Sequence, residues 1–293
     1  MIWTYTLTKL NELQARDADS LGELQRLGKE AKWVWIDALE PDDKERETIA
    51  RLLKEAEILS AIKKKQIFSH RQRVNDYFLI SIPSVAFNDI LETHPIYVFA
   101  KEKTLITIRS KNSSKCVDNT LDTFRDCLSK VCQYSNASSF VVGRLLHEVS
   151  DENLDAVMAL KARTEEIEEK ALANPGDKKI GKTVFALKRE ISGLERILWT
   201  QKELMLSVQE GVIPAIQSSE LDAQTLNNAV TNVSRQISLL TSNDDSLDSI
   251  LRLQDLGMIH RVERILIYLT LLTLIVSIIT ILIQVDIVKI LSG

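Results

Sequence analysis

The chain has 293 residues, with 37 basic and 41 acidic side chains and a formal charge of −4 at pH 7. This balance argues against a nucleic-acid binder held by a basic face. A composition of 45% hydrophobic and 27% charged residues excludes a disordered chain. Only 9 Gly and 5 Pro residues are present, which favours long helices over an all-β architecture.

The first part of the chain alternates strand-like and helix-like segments. Pro41, Asp42 and Asp43 open a predicted helix, with proline and acids at the positive end of the helix dipole. Five runs rich in β-branched and aromatic residues predict strands, at residues 2–8, 32–36, 77–83, 96–100 and 104–108. Residues 1–110 are therefore predicted to form an α/β domain with its own core.

Residues 111–245 are predicted to be helical, with long antiparallel helices. One helical region covers residues 117–172, with a break near residues 135–136, and Asn174, Pro175 and Gly176 end it. The others cover residues 179–211 and 220–241, and residues 242–244 are interpreted as a turn or an N-cap.

Residues 246–285 are predicted to be a stalk helix that continues into a membrane. Residues 265–285 carry no charge and as a helix would rise about 30 Å, the hydrocarbon thickness of a bilayer. His260, Arg261 and Arg264 flank the near end, whereas Asp286 and Lys289 flank the far end. The positive-inside rule therefore predicts a cytoplasmic N-terminal domain and a short extracytoplasmic tail at residues 286–293. No N-terminal signal peptide is recognisable.

No motif in the sequence predicts an enzyme. The phosphate-binding patterns G-x-x-x-x-G-K-[ST] and G-x-G-x-x-G and the nucleophile elbow G-x-S-x-G do not occur. Cys116, Cys127 and Cys132 are odd in number and contain no C-x-x-C pair, so neither a disulfide framework nor a zinc knuckle is indicated.

The predicted membrane helix carries a stripe of polar side chains at spacings of 3, 4, 3 and 4. Its members are Thr270, Thr273, Ser277, Thr280 and Gln284, and in the same register the stripe continues back to Leu266 and Glu263. In one interpretation, these residues pack and hydrogen-bond against a neighbouring helix. In the other, several copies of the helix surround an aqueous pore, with Leu266 as a hydrophobic constriction and Glu263 as a carboxylate ring at the cytoplasmic mouth.

Several segments resemble the CorA-type divalent-cation transporter family. The first are Trp35, Ile36 and Asp37, followed by Pro41 and Glu45. Further similar segments are residues 70–73 leading into the strand at 77–83, residues 104–109, and the region from Lys188 to Gln201. The resemblance covers nearly the whole chain in order. It implies an α+β membrane protein that forms a pentameric funnel, with a long stalk helix running into the pore helix and Mg²⁺ or Co²⁺ as cargo.

Two features depart from the family pattern. Family members end the pore helix with Gly-Met-Asn and continue into a second membrane helix. Here Gln284, Val285 and Asp286 occupy that position, and the sequence stops seven residues later. Either the sequence is a piece of a longer chain, or it is a divergent member with a single transmembrane helix per subunit. In the latter case, a ring of Asp286 carboxylates would concentrate cations at the mouth.

In the family, metal held by carboxylates between cytoplasmic domains regulates transport. Candidates for such a regulatory metal site are Asp89 and the cluster of Asp244, Asp245 and Asp248. A solvated acidic turn or an N-cap is the alternative role for Asp244 and Asp245.

The sequence thus predicts transport of a divalent cation resembling Mg²⁺ through a homopentameric channel in the inner membrane. The predicted partners are further copies of the chain and the lipid bilayer, and no nucleic acid. The divalent cation is the cargo and a candidate regulator. The alternative function is a non-conducting, membrane-anchored sensor or scaffold that retains the cytoplasmic fold.

Overall fold

A computed structural model describes residues 1–17, 21–54, 68–88, 90–134, 136–175, 177–216 and 220–292. For residues 21, 88, 133–134, 178, 220–222 and 281–292 the description is limited to the backbone.

A seven-stranded sheet forms the N-terminal part of the described chain. In spatial order it runs β2-β1-β3-β7-β6-β5-β4, and all neighbours are antiparallel except β3 and β7. The strands are β1 (Ile2–Leu7), β2 (Leu13–Asp17), β3 (Trp33–Leu39), β4 (His70–Val74), β5 (Tyr77–Asn88), β6 (Ile90–Lys101) and β7 (Thr104–Arg109).

The five predicted strands are confirmed, and two further strands were missed. Both missed strands, β2 and β4, lie at the edges of the sheet and are mostly polar and exposed. Edge strands such as these lack the alternating apolar pattern on which sequence-based prediction depends.

The described helices are α1 (Leu21–Glu30), α2 (Asp43–Leu53), α3 (Ser114–Asp126), α4 (Leu128–Tyr134), α5 (Ala137–Ala173), α6 (Lys178–Gln209) and α7 (Glu220–Ser292). The predicted start of α2 is confirmed, because Asp42 and Glu45 form a reciprocal capping box. The predicted end of α5 is also confirmed, since the helix stops at Ala173, directly before Asn174 and Pro175.

The central strand β3 is buried on both faces of the sheet. On one face, Ile36 packs in a cluster with Leu24 of α1 and Leu53 of α2. On the other face, the rings of Trp33 and Phe124 lie 5.4 Å apart. Apart from Asp37, the strand is therefore hydrophobic throughout, as expected when helices cover both sides of a sheet.

A buried ion pair joins β3 to β7. Nη2 of Arg109 lies 2.8 Å from Oδ2 of Asp37, and the two side chains are 5% and 1% exposed. The Thr107 hydroxyl donates a hydrogen bond to Asp37 at 2.6 Å, and it accepts one from Nε1 of Trp35 at 3.0 Å. Burial raises the pKa of Asp37, while the positive charge of Arg109 opposes the shift. The family-like residues Trp35, Asp37 and Arg109 thus belong to one internal network.

A second buried network attaches two helices to β5. Oδ1 of Asn153 accepts a hydrogen bond from the backbone of Val85 at 2.8 Å. Nδ2 of Asn153 donates to Gln201 at 2.9 Å, and Gln201 donates to the carbonyl of Pro83. Because Asn153 and Gln201 are completely buried, each needs these partners, and the network fixes α5 and α6 on the sheet.

The described chain divides into two compact units. The first contains Met1–Lys161 and Glu190–Ser242, and the second contains Ala162–Arg189 and Asn243–Gly293. The first unit holds the sheet and both buried networks. The second holds the tip of the α5–α6 hairpin and the C-terminal part of α7.

The predicted turn at residues 242–244 is wrong. Helix α7 runs without interruption from Glu220 to Ser292, so residues 242–244 lie within it. Asn and Asp favour caps only where the helix has a reason to end. Here Leu240, Leu247 and Ile250 continue the buried apolar positions at helical spacing, and packing overrides the local preference.

Candidate functional site

Helix α7 carries the only segment, within the described chain, that is long and apolar enough to cross a membrane. The apolar window has a mean hydropathy of 2.1, and none of it is buried inside the chain. All side chains from residue 258 to residue 280 are exposed. An exposed apolar helix of this length requires lipid or other helices around it.

The stripe predicted from the sequence lies on one side of this helix. With 3.6 residues per turn, its positions fall within an arc of about 100°. They are Glu263, Leu266, Thr270, Thr273, Ser277, Thr280 and Gln284, and the backbone is helical at every one of them. The periodicity that predicted a common face therefore continues along an uninterrupted helical backbone.

Each described hydroxyl of the stripe donates its hydrogen to the carbonyl one turn earlier. The donor–acceptor distances are 2.8 Å for Thr270 to Leu266, 2.7 Å for Thr273 to Leu269, 2.9 Å for Ser277 to Thr273 and 2.8 Å for Thr280 to Val276. A hydroxyl has one hydrogen to donate and two lone pairs to accept with. With the hydrogen used inside the helix, the oxygens present acceptor capacity outward, which suits a cation or its bound water.

The N-terminal end of the stripe carries a carboxylate. Oε2 of Glu263 lies 3.1 Å from Nδ1 of His260, and both side chains are exposed. Leu266, one turn further along, is 57% exposed. In a single chain, therefore, both Glu263 and Leu266 face outward and are not enclosed by other parts of the described structure. Gln284, Val285 and Asp286 continue the helix, and their side chains lie outside the described part of the structure.

The candidate regulatory carboxylates have different surroundings. Nζ of Lys188 lies 2.8 Å from Oδ1 of Asp244 and 2.9 Å from Oδ1 of Asp248, whereas Asp245 is exposed. Burial lowers the pKa of Lys188, but its hydrogen bonds to the two carboxylates raise it more, and the net shift is upward. An ammonium group thus occupies the position between Asp244 and Asp248.

No cluster of three or more His, Cys, Asp or Glu side chains that could hold a metal ion occurs among the described residues. Asp89 lies outside them. The regulatory site therefore remains a prediction.

The tip of the α5–α6 hairpin packs against α7 in the second unit. The side chain of Gln254 donates a hydrogen bond to the carbonyl of Asp177 at 2.8 Å. A Cβ atom placed on Gly257 would lie 2.8 Å from Cβ of Pro175, so the turn approaches the helix backbone closely. Sequence analysis missed both contacts, although one signal was available, because Gly257 is the only glycine in α7.

A sequence model described as "CorA-like Mg2+ transporter protein" matches residues 30–282. No curated protein sequence matches the chain. The match covers strands β3 to β7 and most of the apolar part of α7.

Solved structures show the same fold. The complete structure of the CorA magnesium transporter from Methanocaldococcus jannaschii has a TM-score of 0.73 and 17% identity, covering 93% of this chain and 82% of that one. The full-length CmaX protein has a TM-score of 0.64 and 16% identity, over 90% and 79% of the two chains. The ZntB cytoplasmic domain from Vibrio parahaemolyticus has a TM-score of 0.57 and 11% identity, over 89% and 98%.

Proposed function

The chain belongs to the family of CorA-like Mg²⁺ transporter proteins, and we propose that it conducts divalent cations, with Mg²⁺ as the principal cargo, through a pore lined by α7. This family consists of membrane transporters rather than enzymes. In our proposal, five copies assemble around the stripe, the N-terminal α/β domain is cytoplasmic, and the helix crosses the inner membrane.

The observation that carries this proposal is the row of back-bonded hydroxyls on an exposed helix face. Thr270, Thr273, Ser277 and Thr280 each use their hydrogen within α7. Mg²⁺ gives up its water reluctantly, and the waters bound to it donate hydrogen bonds outward. Rings of acceptor oxygens therefore match a hydrated Mg²⁺ ion better than they match an anion.

A single helix cannot enclose a pore, so the proposal requires several copies. Facing copies would bring Glu263 into a ring at the cytoplasmic mouth, where carboxylates raise the local cation concentration. One turn further into the membrane, a ring of Leu266 would form a hydrophobic constriction. Gln284, Val285 and Asp286 would form the outer mouth.

Cation uptake into liposomes that contain the purified full-length protein tests this function. Mg²⁺, Co²⁺ and a monovalent ion are compared. Thr273→Val with Ser277→Ala removes two hydroxyl rings at nearly constant side-chain volume, and Thr273→Ser with Ser277→Thr is the matched control that keeps them. We expect the first pair of substitutions to lower Mg²⁺ flux at least about tenfold, as for hydrogen bonds lost to a charged group, and the control to retain it.

A non-conducting sensor or scaffold predicts a different result. A folded oligomer, stripped of metal on its cytoplasmic side, would then pass none of the three ions. Equal flux in the hydroxyl-free and hydroxyl-retaining variants would instead show that the stripe packs against other helices and does not line the pathway.

A further inference from the structure

The tip of the α5–α6 hairpin contains a groove with a volume of about 460 Å³. It is formed by the end of α5, the connecting turn and the start of α6, all within the second unit. Its lining residues are Ile167, Lys170, Ala173, Asn174, Asp177, Lys179, Ile180 and Thr183.

The groove combines an apolar floor with cationic walls. Ile167 and Ile180 are each 6% exposed and form part of the floor. Lys170 stands on the α5 side and Lys179 on the α6 side. A cavity of this kind fits an amphiphile with a negatively charged head.

The charged groups of the groove differ in how they are engaged: the Asp177 carboxylate has a partner within the chain, whereas the two lysines remain accessible to a ligand. The Asp177 carboxylate accepts a hydrogen bond from the backbone N–H of Lys179 at 2.9 Å and so caps α6. Lys170 pairs with Glu166, but both side chains are more than 60% exposed, and such a surface pair is weak and easily exchanged. Lys179 is exposed, and none of the carboxylates in the described part of the chain forms a salt bridge with it.

Contacts with α7 fix the position of the groove relative to the apolar segment. The turn packs on Gly257, eight residues before Ile265, where the uncharged run begins. Eight helical residues rise about 12 Å. The polar headgroup layer occupies about 5–7 Å of that distance, so extended lysine side chains at the tip come within a Debye length of it. Arg261 and Arg264 lie on α7 in the interval.

We propose that this groove binds the headgroup of an anionic phospholipid, with Lys170 and Lys179 on either side of the phosphate and Ile167 and Ile180 beneath the glycerol. The proposal rests on the membrane placement of α7 but not on ion conduction. A free phosphate ion has no apolar surface to bury against the floor of the groove. A lipid is therefore favoured as the source of the phosphate group.

Hydrogen–deuterium exchange on the full-length protein in nanodiscs tests the proposal. Discs of phosphatidylcholine alone are compared with discs that contain increasing fractions of phosphatidylglycerol. We expect phosphatidylglycerol to slow exchange at residues 167–183. Lys170→Gln with Lys179→Gln should shift the fraction needed for half protection about tenfold, because each lysine near an anionic surface contributes to binding. Lys115→Gln with Lys130→Gln, which removes two exposed lysines of the first unit, is the matched control and should shift nothing.

Three results would overturn the proposal. The first is equal exchange at residues 167–183 in both kinds of disc. The second is protection by inorganic phosphate added to phosphatidylcholine discs, which would assign the groove to a free ion. The third is failure of the chain to enter nanodiscs at all, which would contradict the membrane placement. Because flux is measured separately, loss of conduction with lipid protection retained would refute only the transport function.

Discussion

A Cβ atom on Gly257 would lie 2.8 Å from Cβ of Pro175 and 3.1 Å from its carbonyl oxygen. The hairpin turn therefore rests directly on the backbone of α7, and both contacting groups are rigid. Only glycine provides the space for this approach, which joins the hairpin tip to the helix shortly before its apolar segment.

Substitution of Gly257 should loosen the hairpin tip. In a helix, Gly→Ala gains about 1 kcal/mol from propensity, whereas overpacking costs about 1–3 kcal/mol. We expect Gly257→Ala to be neutral or destabilising and Gly257→Leu to be clearly destabilising, with faster hydrogen exchange at residues 174–180. Gly193→Ala on α6 is the matched control, because nothing lies within 4 Å of its Cβ position. It should stabilise the protein by about 1 kcal/mol, and an equal gain at Gly257 would contradict the tight contact.

The buried pair of Asp37 and Arg109 should be sensitive to loss of either member. Arg109→Met leaves the buried Asp37 carboxylate without its ion-pair partner, and Asp37→Asn leaves Arg109 with only the exposed Asp118; removing one member of a buried pair costs about 3–5 kcal/mol. We expect both variants to unfold at markedly lower temperature, and the double variant to be less affected than the sum of the two. Asp118 also contacts Arg109, at 3.0 Å, but its side chain is 60% exposed. Asp118→Asn should therefore lower the free energy of unfolding by at most about 1 kcal/mol. A loss as large as that of the Asp37 and Arg109 variants would contradict the view that the buried pair supplies most of the stabilisation.

The position between Asp244 and Asp248 should accept a divalent cation only when Lys188 is removed. Lys188→Met frees two carboxylates one helical turn apart. Mg²⁺ or Co²⁺ should therefore stabilise this variant by about 1.4 kcal/mol at tenfold excess over Kd and leave the parent protein nearly unchanged. Thermal unfolding with and without metal measures the difference. Lys188→Met with Asp248→Asn is the control and should not respond. Equal metal stabilisation of the parent protein would show that the ammonium does not block the site.

The same ammonium group should make the stability of the second unit depend on pH in the alkaline range. The net shift raises the pKa of Lys188 above its ordinary value of 10.5. The stabilisation is thus fully present below the unfolded-state pKa and is lost as the pH rises through the folded-state pKa. The unfolding temperature of the parent protein should fall more steeply above pH 10 than that of Lys188→Met. Parallel pH dependences of the two unfolding temperatures would contradict a stabilising role for the Lys188 ammonium.

Cys116 should resist thiol reagents in the folded protein. Its side chain is buried, and Sγ donates a hydrogen bond to Oε2 of Glu152 at 2.8 Å. Burial raises the pKa of this thiol, and the neighbouring carboxylate raises it further, so raising the pH from 7 to 9 should not activate it. Cys127 and Cys132 are partly exposed. A colorimetric thiol titration should find two reactive thiols in the native state and three after denaturation.

Asp286→Asn tests the predicted outer mouth. A ring of carboxylates concentrates cations by electrostatic attraction, so the neutral variant should show weaker flux, and the loss should be larger at low ionic strength. The liposome assay measures it, with Lys289→Gln as a control of opposite sign that should not reduce flux. Unchanged flux in Asp286→Asn would remove this residue from the mechanism.

Local patterns predicted the elements that bury an apolar face. The strands β3, β5 and β7 and the end of α5 before Pro175 were recognisable, because burial and proline leave a signal within a few residues. The polar edge strands β2 and β4 gave no such signal. The turn predicted at residues 242–244 was wrong because the local preference of Asn and Asp competes with packing, which the sequence around them does not contain.

By itself, the sequence determined the polar stripe of α7 and the uncharged length of the segment that carries it, since a helix fixes which positions share a face once its period is known. Only the tertiary structure decided which distant groups meet. Lys188 lies 60 residues from Asp248, and Arg109 lies 72 residues from Asp37. Such pairs form because chain folding brings groups that are distant in sequence together, and the buried Arg109–Asp37 pair is costly to break by removing either member. The sequence therefore indicated a helix of membrane length with one polar face, whereas the fold revealed an ammonium between the candidate carboxylates and a groove with two lysines near the apolar segment.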